Sequence, residues 1–388
     1  MQKLTYVILL FSFSLQGQIK FDTLQWKGVL DKAKTSNKLI FLDAYAVWCE
    51  PCEEMEEYVF TDLEVGNFYN KNFINFRMDM EEYPGVDLAE KYTVGVYPNF
   101  LFINGYGELV HRGCGAMDAN EFLLLAETAL DNEANLMSYE KKYRKGERST
   151  DFLMNYLALL EEVCLDAERF AGNYLASLKL EELKEEPGWA VFASYNWDIY
   201  SREFQYLLKN KNAFAQAIDL EAVEAKIYDA YLAQYQEVYE AEELHGFGMR
   251  ALMHSINQTN FTGADTLKSM MSLHYAEFTE DWESYAESAI DYVGMMGIDD
   301  PEELGELAWK FYLFVDDRNQ LEIAASWAKA AVDELPEPSI IDTYASLQYK
   351  LGNKKKAIDL GTKALELARE FYEDTEHFEY QLKRFRGE

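Results

Sequence analysis

The chain has 388 residues, of which 49% are hydrophobic and 15% are aromatic. This length exceeds what one hydrophobic core usually organises, and the composition excludes an intrinsically disordered protein, so we expect two folded domains. The 69 acidic side chains outnumber the 36 basic ones. The resulting net charge of −33 disfavours binding to nucleic acid or to an anionic membrane surface, and solubility is its simplest role.

The first residues have the pattern of a secretory signal peptide. Lys3 precedes a short apolar core that is too short to span a bilayer. We expect residues 1–17 to be removed by cleavage after Gly17, although Leu15 departs from the small residue that is usual there. A buried N-terminal strand is the alternative. The mature protein is expected to be soluble, without a membrane span, in the periplasm of a Gram-negative bacterium.

Residues 18–131 are expected to form an α/β domain. The apolar spacing predicts a helix from Phe21 to about Ser36, and a fully buried strand follows from Lys38 to Ala46. The remaining signals predict, in order, a helix after Pro51, a strand over 73–80, a short helix over 86–92, an apolar stretch over 94–103, a hairpin at 104–107, a returning strand over 108–112 and a helix from the capping residue Asp118 to Leu130.

Residues 132–388 are expected to be entirely helical, because amphipathic stretches replace the strand signals. The clearest internal repeat lies near the C-terminus, where Ala324 and Ala331 recur 33 residues later as Ala357 and Ala364. Small residues at such fixed offsets let paired helices approach closely. A period of this length indicates a helical solenoid.

Cys49 and Cys52 follow the buried strand and precede a helix. A C-x-x-C pair is typical either of half a zinc site or of a redox dithiol. A zinc site needs a second ligand pair, but the five histidines include no H-x₃₋₅-H spacing and no other C-x-x-C exists. A redox dithiol needs an exposed cysteine at a helix N-terminus, which stabilises its thiolate, and a shielded cysteine one turn further in. Cys49 and Cys52 are expected to meet these two demands. The sequence therefore favours a redox dithiol that needs no metal or organic cofactor.

These motifs resemble those of the thioredoxin family over residues 18–131. The resemblance rests on residues 41–52 and on residues 94–98 followed by Asn104-Gly105. Residues 52–65 are more similar to the exported members related to the C-terminal domain of the periplasmic transmembrane electron transporter. The fold class implied is a thioredoxin-like α/β domain, here followed by an all-α helical repeat domain.

The resemblance implies a role for each of five residues. Cys49 would be the nucleophile and Cys52 the resolving thiol. Asp43 would be a buried acid that assists Cys52 in losing its proton, and Trp48 would shield the site. Pro98 would follow a cis peptide bond, face the dithiol and align the substrate backbone. The residues themselves also allow Asp43 to be a strand-end acid that faces solvent.

Acidic residues set this motif apart from thioredoxin itself. Carboxylates stabilise the first turn of a helix but disfavour a nearby thiolate, so the dithiol should give up electrons readily. We therefore expect a disulfide-reducing enzyme that a redox partner recycles. The acids concerned are Glu50, which stands where glycine is usual, and Glu53, Glu54, Glu56 and Glu57.

The two other cysteines are Cys114 and Cys164, too few for a disulfide framework in a chain of this length. Cys114 lies in a glycine-flanked turn, where we expect a tolerated small residue; the alternative is a third redox thiol. Cys164 falls on an apolar helical face with Leu157 and Leu160, so we expect it to pack in a core.

The interpretation of the whole chain is an exported thiol–disulfide oxidoreductase with an appended helical domain. Residues 319–370 resemble tetratricopeptide repeats, so the helical domain is a candidate surface for a protein substrate or partner. The alternative is a non-enzymatic repeat-based adaptor whose thioredoxin-like domain serves as a binding platform. The intact dithiol, together with Asp43 and Pro98, favours the enzyme.

Overall fold

The computed structural model describes residues 17–241 and 245–388. The predicted signal peptide, apart from Gly17, lies outside the described residues. The chain divides into two compact units, residues 1–196 and 197–388. The predicted domain limits of 18–131 and 132–388 follow the change in secondary structure and stay a prediction. Within the described ranges, no helix has the length and apolarity needed to cross a membrane.

The first unit is built on a four-stranded mixed sheet. Its strands are β1 (Leu39–Tyr45), β2 (Phe73–Asp79), β3 (Asn99–Ile103) and β4 (Leu109–Cys114). They are arranged in the order β2-β1-β3-β4. β1 pairs in parallel with β2 and antiparallel with β3, and β4 lies antiparallel to β3 at one edge. The central position of β1 explains why its residues are apolar on both faces.

Helices pack on both faces of this sheet. Successive residues of β1 point to opposite sides, so that Phe41 joins one core cluster while Ile40 and Leu42 join the other. The helices up to residue 131 are α1 (Trp26–Ser36), α2 (Glu50–Glu54), which continues as a π-helical segment (Met55–Val59), α3 (Leu63–Asn72), α4 (Gly85–Tyr92) and α5 (Ala119–Leu130). This alternation of strands and helices confirms the predicted thioredoxin-like fold class.

Most predicted elements of this unit are confirmed, with small shifts at their ends. α5 begins directly after Asp118, whose side chain accepts hydrogen bonds from the backbone N–H groups of Asn120 and Glu121. The first helix begins at Trp26 and not at Phe21, because the backbone N–H of Asp22 donates to the carbonyl of Asn75. α3 has no counterpart in the sequence-based prediction.

The first unit continues with helices that follow the α/β part. They are α6 (Leu136–Arg144), α7 (Thr150–Glu162), α8 (Ala167–Ser177), a 3₁₀ turn (Leu180–Lys184) and α9 (Gly188–Tyr195). α6 packs against β4, where the backbone N–H of Leu136 donates to Nδ1 of the buried His111 at 3.4 Å. Burial lowers the pKa of His111 to about 4, which keeps this imidazole neutral at neutral pH.

Cys114 and Cys164 form a disulfide, which corrects both predictions made for them. Cys114 is neither a free small residue nor a free third thiol. Cys164 is not a core residue, because α7 ends at Glu162 and Cys164 is exposed, with a left-handed φ of 53°. The apolar periodicity of α7 therefore stops before Cys164. The bond joins the end of β4 to the end of α7, with 6.2 Å between the two Cα atoms.

Removing this disulfide with Cys114→Ser and Cys164→Ser together should lower the free energy of unfolding by about 2–4 kcal/mol. The reason is that the bond closes a loop across a sequence separation of 50 residues and restricts the unfolded chain. Urea unfolding without reductant measures the difference. Each single variant should lose about as much as the double variant, and unchanged midpoints would contradict the prediction.

The second unit is helical throughout its described residues. Its helices are α10 (Arg202–Lys209), α11 (Lys211–Ala217), α12 (Leu220–Glu240), α13 (His245–Asn257), α14 (Ala264–Phe278), α15 (Trp282–Met296), α16 (Pro301–Phe314), α17 (Arg318–Glu334), α18 (Pro338–Lys350), α19 (Lys354–Glu370) and α20 (Glu376–Arg386). The repeated alanines lie on α17 and α19 and are all buried. Ala324 shares a core cluster with Tyr344 of α18, and Ala357 shares another with Ala345, so the small residues lie where these helices pack. The predicted all-helical class of this region is confirmed.

Candidate active site

β1 leads directly into the turn that contains the two cysteines. The backbone N–H of Cys49 donates to the carbonyl of Ala46 at 3.1 Å, and Cys49 is the N-cap of α2. Pro51 lies in the first turn of α2, where its missing N–H costs no helical hydrogen bond. The backbone N–H of Cys52 donates to Sγ of Cys49 at 3.2 Å. The predicted position of Cys49 at a helix N-terminus is therefore confirmed, and this geometry stabilises a thiolate.

Cys49 and Cys52 are joined as a disulfide, with 5.3 Å between their Cα atoms. We predicted an exposed Cys49 and a shielded Cys52, but in this oxidised state only 3% of Cys49 and 7% of Cys52 is exposed. The two sulfurs form a small apolar cluster with Ala46, against which Tyr45 and Tyr97 pack. The tyrosines explain the burial of Cys49, because they cover a turn that the sequence places at the surface.

The peptide bond between Tyr97 and Pro98 is cis, as the resemblance implies. Tyr97 contacts the cysteine cluster, so the fold brings this distant loop to the dithiol. The carbonyl of Pro98 accepts a hydrogen bond from the backbone N–H of Gly115 at 2.9 Å. The loop is thereby held next to the end of β4.

Trp48 lies at the edge of the disulfide and is 66% exposed. Its indole Nε1–H donates to Oε2 of Glu81 at 2.6 Å. Its ring meets the ring of Tyr97 edge-on, with 5.8 Å between the centroids. Val47, next to Trp48, and Val96, next to Tyr97, are also exposed, and these three apolar side chains are called the apolar rim below.

Asp43 is buried in the middle of β1, which excludes the alternative of an acid that faces solvent. Burial raises the pKa of Asp43 to about 7; the charge of Arg77 acts against this rise and the charge of Glu56 adds to it. An acid with this pKa can both accept and release a proton at neutral pH.

Arg77 and the ion pairs that it forms were missed by the sequence-based reasoning. Arg77 lies opposite Asp43 in the register of β1 and β2, with its Nε 3.5 Å from Oδ2 of Asp43. Its Nη1–H donates to Oε1 of Glu56 at 2.8 Å, and its guanidinium lies over the ring of Tyr45. Its position carries no distinctive signal, because residues 74–79 alternate apolar and polar side chains and Arg77 is one of the polar ones.

Acidic side chains lie in the helix that follows Cys49 and near Tyr97, which packs against the dithiol. Glu50 and Glu53 lie in the first turn of α2 and are exposed. On the other side, Asp79 and Glu81 are close to Tyr97: burial raises the pKa of that tyrosine, and these two charges raise it further. A thiolate formed at Cys49 would therefore lie in a negative field.

A family model described as Thioredox_DsbH, protein of unknown function DUF255, matches residues 18–97. Thioredoxin H4 of Arabidopsis thaliana is 41% identical over 91 residues, which are 24% of this chain and 71% of that protein. The thiol:disulfide interchange protein DsbD of Colwellia psychrerythraea is 36% identical over 103 residues, which are 25% of this chain and 17% of that protein.

Among solved structures, the chain is similar to a protein of Bacteroides thetaiotaomicron that is provisionally described as a disulphide-isomerase. The two share 40% sequence identity, and the match covers 30% of this chain and 97% of the other, with a TM-score of 0.29. Each of these comparisons concerns about a third of the chain or less, and the matched family residues include the whole turn from Trp48 to Cys52.

Proposed function

The chain belongs to the thioredoxin family and is a thiol–disulfide oxidoreductase, and from this premise we propose that it is exported, reduces protein disulfides and holds a substrate or partner with its helical region. The observation that carries the proposal is the Cys49–Cys52 pair at the start of an acidic helix. In the reduced enzyme this pair is a dithiol that supplies two electrons.

In the proposed cycle the Cys49 thiolate attacks one sulfur of a substrate disulfide. The substrate S–S bond breaks, its second sulfur leaves as a thiolate, and the first sulfur forms a mixed disulfide with Cys49. Cys52 then loses its proton to Asp43 and attacks the Cys49 sulfur. This step forms the Cys49–Cys52 disulfide and releases the reduced substrate. A dithiol partner protein returns the enzyme to its reduced form by the same exchange.

Pro98 and Trp48 are proposed to position the substrate during these steps. Pro98 directly follows Tyr97, which contacts the cysteine cluster. The backbone of Pro98 can therefore align an extended substrate chain beside the disulfide. The exposed ring of Trp48 extends the apolar rim on which that chain would lie. Both roles are supported by the geometry and by the resemblance of the motifs.

The proposed reducing direction is supported by the charges around Cys49. A negative field destabilises the thiolate of the reduced form and so lowers the reduction potential. Arg77 offers little compensation, because it is already paired with Asp43 and Glu56. The helix N-terminus acts in the opposite sense and limits the size of this effect.

We expect a reduction potential near that of thioredoxin, about −270 mV, when the protein is equilibrated with glutathione buffers. Glu50→Gln together with Glu53→Gln should raise it by roughly 10–40 mV, since two charges leave the first turn of α2. The matched control is the exposed Glu90→Gln in α4, which should leave the potential unchanged. A wild-type potential well above that of glutathione would refute the reducing role.

Export is supported by two features of the first unit. The Cys114–Cys164 disulfide lies outside the active-site motif, and such bonds persist in oxidising compartments. Residues just after the predicted cleavage point are held by side-chain hydrogen bonds: the amide of Asn70 donates to the carbonyl of Gln18 at 2.9 Å and accepts from the N–H of Lys20 at 2.8 Å. Removal of residues 1–17 would leave these contacts in place.

Expression of the full chain in a Gram-negative host should yield a periplasmic protein whose N-terminus is Gln18. N-terminal sequencing of the fractionated protein measures both properties. A chain that stays in the cytoplasm with residues 1–17 attached would refute the proposed export, without bearing on the redox chemistry.

A further inference from the structure

The second unit contains an open pocket of ≈ 720 Å³ between α16, α18 and α20. Trp309 of α16, Asp342 of α18 and His377 of α20 are among its lining residues. The pocket lies in the region that the dithiol chemistry leaves unexplained. Any role that it has rests on the proposed binding function of the helical region.

Asp342 is the unusual residue of this pocket. Its side chain is only 4% exposed, and its Oδ2 is 3.0 Å from Nε2 of His377. Its Oδ1 is buried without a hydrogen-bond partner among the described residues. Burial raises the pKa of the Asp342 carboxyl, and His377 and Arg384 act against this rise. A buried carboxylate oxygen without a donor is costly, so a ligand that donates a hydrogen bond to this carboxylate would remove that cost.

The other charges of the pocket favour a cationic ligand. Glu302, Glu306 and Glu337 are exposed lining residues and form no ion pair within the described part of the chain. The lining cation Lys310 is paired with Glu277. No group of three or more histidine, cysteine or acidic side chains suited to a metal ion occurs among the described residues. An organic cation with N–H donors therefore fits better than a metal ion.

Trp309 favours a planar cation over a compact one. Its half-buried indole forms part of the lining together with the apolar Ile340 and Phe378. A guanidinium group can stack on an aromatic face and at the same time present its edge to a carboxylate, which an ammonium group does less well. The aliphatic arm of an arginine would lie on the apolar lining.

We propose that this pocket binds the guanidinium group of an arginine, with Asp342 as its charged partner and Trp309 as its stacking surface. The ligand takes the place of the His377 ring, which is 54% exposed, at Oδ2 of Asp342 and supplies a second donor to the unpartnered Oδ1. Arginine can be presented by a protein chain or by a small molecule, and both share this chemistry.

Isothermal titration of the full-length protein tests the proposal with the peptide acetyl-Ala-Ala-Arg-Ala-Ala-amide. The same peptide with citrulline, an uncharged analogue of arginine, should bind at least about tenfold more weakly, and so should the peptide with lysine. Nα-acetylarginine amide is the small-molecule arm. Tighter binding of the peptide than of this compound supports a protein chain as the source, and equal binding supports a small molecule.

Asp342→Asn should weaken binding of the arginine peptide about tenfold or more, and Trp309→Leu about two- to fivefold. The matched control is Asp359→Asn, an exposed acid on α19 that lies outside the pocket lining. Equal affinity for the arginine, lysine and citrulline peptides would overturn the proposal, as would unchanged affinity in a folded Asp342→Asn protein. If circular dichroism shows that Asp342→Asn is unfolded, the Trp309→Leu variant and the three peptides decide.

Arginine binding by the second unit can be lost without any loss of disulfide reduction by the first unit. Asp342→Asn should leave the reduction of a small disulfide such as oxidised glutathione unchanged, because that reaction needs only the dithiol of the first unit. Loss of arginine binding and loss of disulfide reduction are thus measured in separate assays.

Discussion

Replacing Cys49 with serine should reduce the rate of insulin reduction to that of dithiothreitol alone. A serine hydroxyl stays protonated at neutral pH and forms no bond to the substrate sulfur equivalent to a disulfide, so the first step of the cycle is lost. The turbidity of precipitating insulin B chain measures the rate. The fold should be retained, because Cys49 is the N-cap of α2 and serine is a favourable residue at an N-cap position.

Two further variants test whether the lost activity depends on the attack by Cys49 and on the active-site cysteines alone. Cys52→Ser should retain the attack by Cys49 but accumulate the mixed disulfide, which is visible on non-reducing gels. Cys114→Ser with Cys164→Ser should retain the wild-type rate at temperatures where the variant is folded, because those cysteines lie outside the active-site turn. Equal insulin reduction by wild type and Cys49→Ser would defeat the catalytic role of Cys49 and favour the adaptor alternative.

Asp43→Asn should increase the free energy of unfolding by up to about 4 kcal/mol above pH 7. Burial holds the pKa of Asp43 at about 7 in the folded protein, against 3.8 for an ordinary aspartate. The wild type therefore loses stability as the pH rises from about 4 to about 7, because the carboxyl ionises in the unfolded chain while burial keeps it protonated in the folded protein. The variant has no such charge, so the two proteins should converge below pH 4. Urea unfolding at a series of pH values measures the difference.

The lost ion pair with Arg77 and the polar amide reduce this gain, which makes the figure an upper bound. The matched control is Asp31→Asn on the exposed side of α1, which should show no comparable pH-dependent gain. The same substitution at Asp43 should slow the release of the mixed disulfide, because Cys52 loses its proton acceptor. A variant with unchanged stability at pH 8 would contradict the buried, costly carboxylate.

The active-site turn was predictable because its signals are local. The apolar run of β1, the two cysteines and Pro51 stand next to each other, and together they specify a strand, a turn and a helix start. Asp118 and the helix that it caps were predictable for the same reason. Local backbone and capping preferences act between residues a few positions apart, and they are visible in a single sequence.

Other features depend on which residues the fold brings together. Arg77 reaches Asp43 only through the parallel register of β1 and β2, and periodicity does not specify a register between two distant strands. Cys164 was assigned to a core because α7 was extended past its actual end at Glu162. Its pairing with Cys114 follows from the packing of the helices after β4, which local patterns do not encode.

The sequence by itself determined the α/β nature of the first part of the chain, the dithiol and the helical nature of the rest, since each follows from neighbouring residues or from a short period. The thioredoxin-like class came from the resemblance of its motifs to that family. Only the tertiary structure decided that Cys49 is covered by tyrosines, that Cys114 and Cys164 are bonded, and that Asp342 is buried with one oxygen unpartnered. Burial and pairing are properties of contacts between distant segments. They set the pKa of Asp43 and the chemistry of the pocket around Asp342, and they become visible only when the chain is folded.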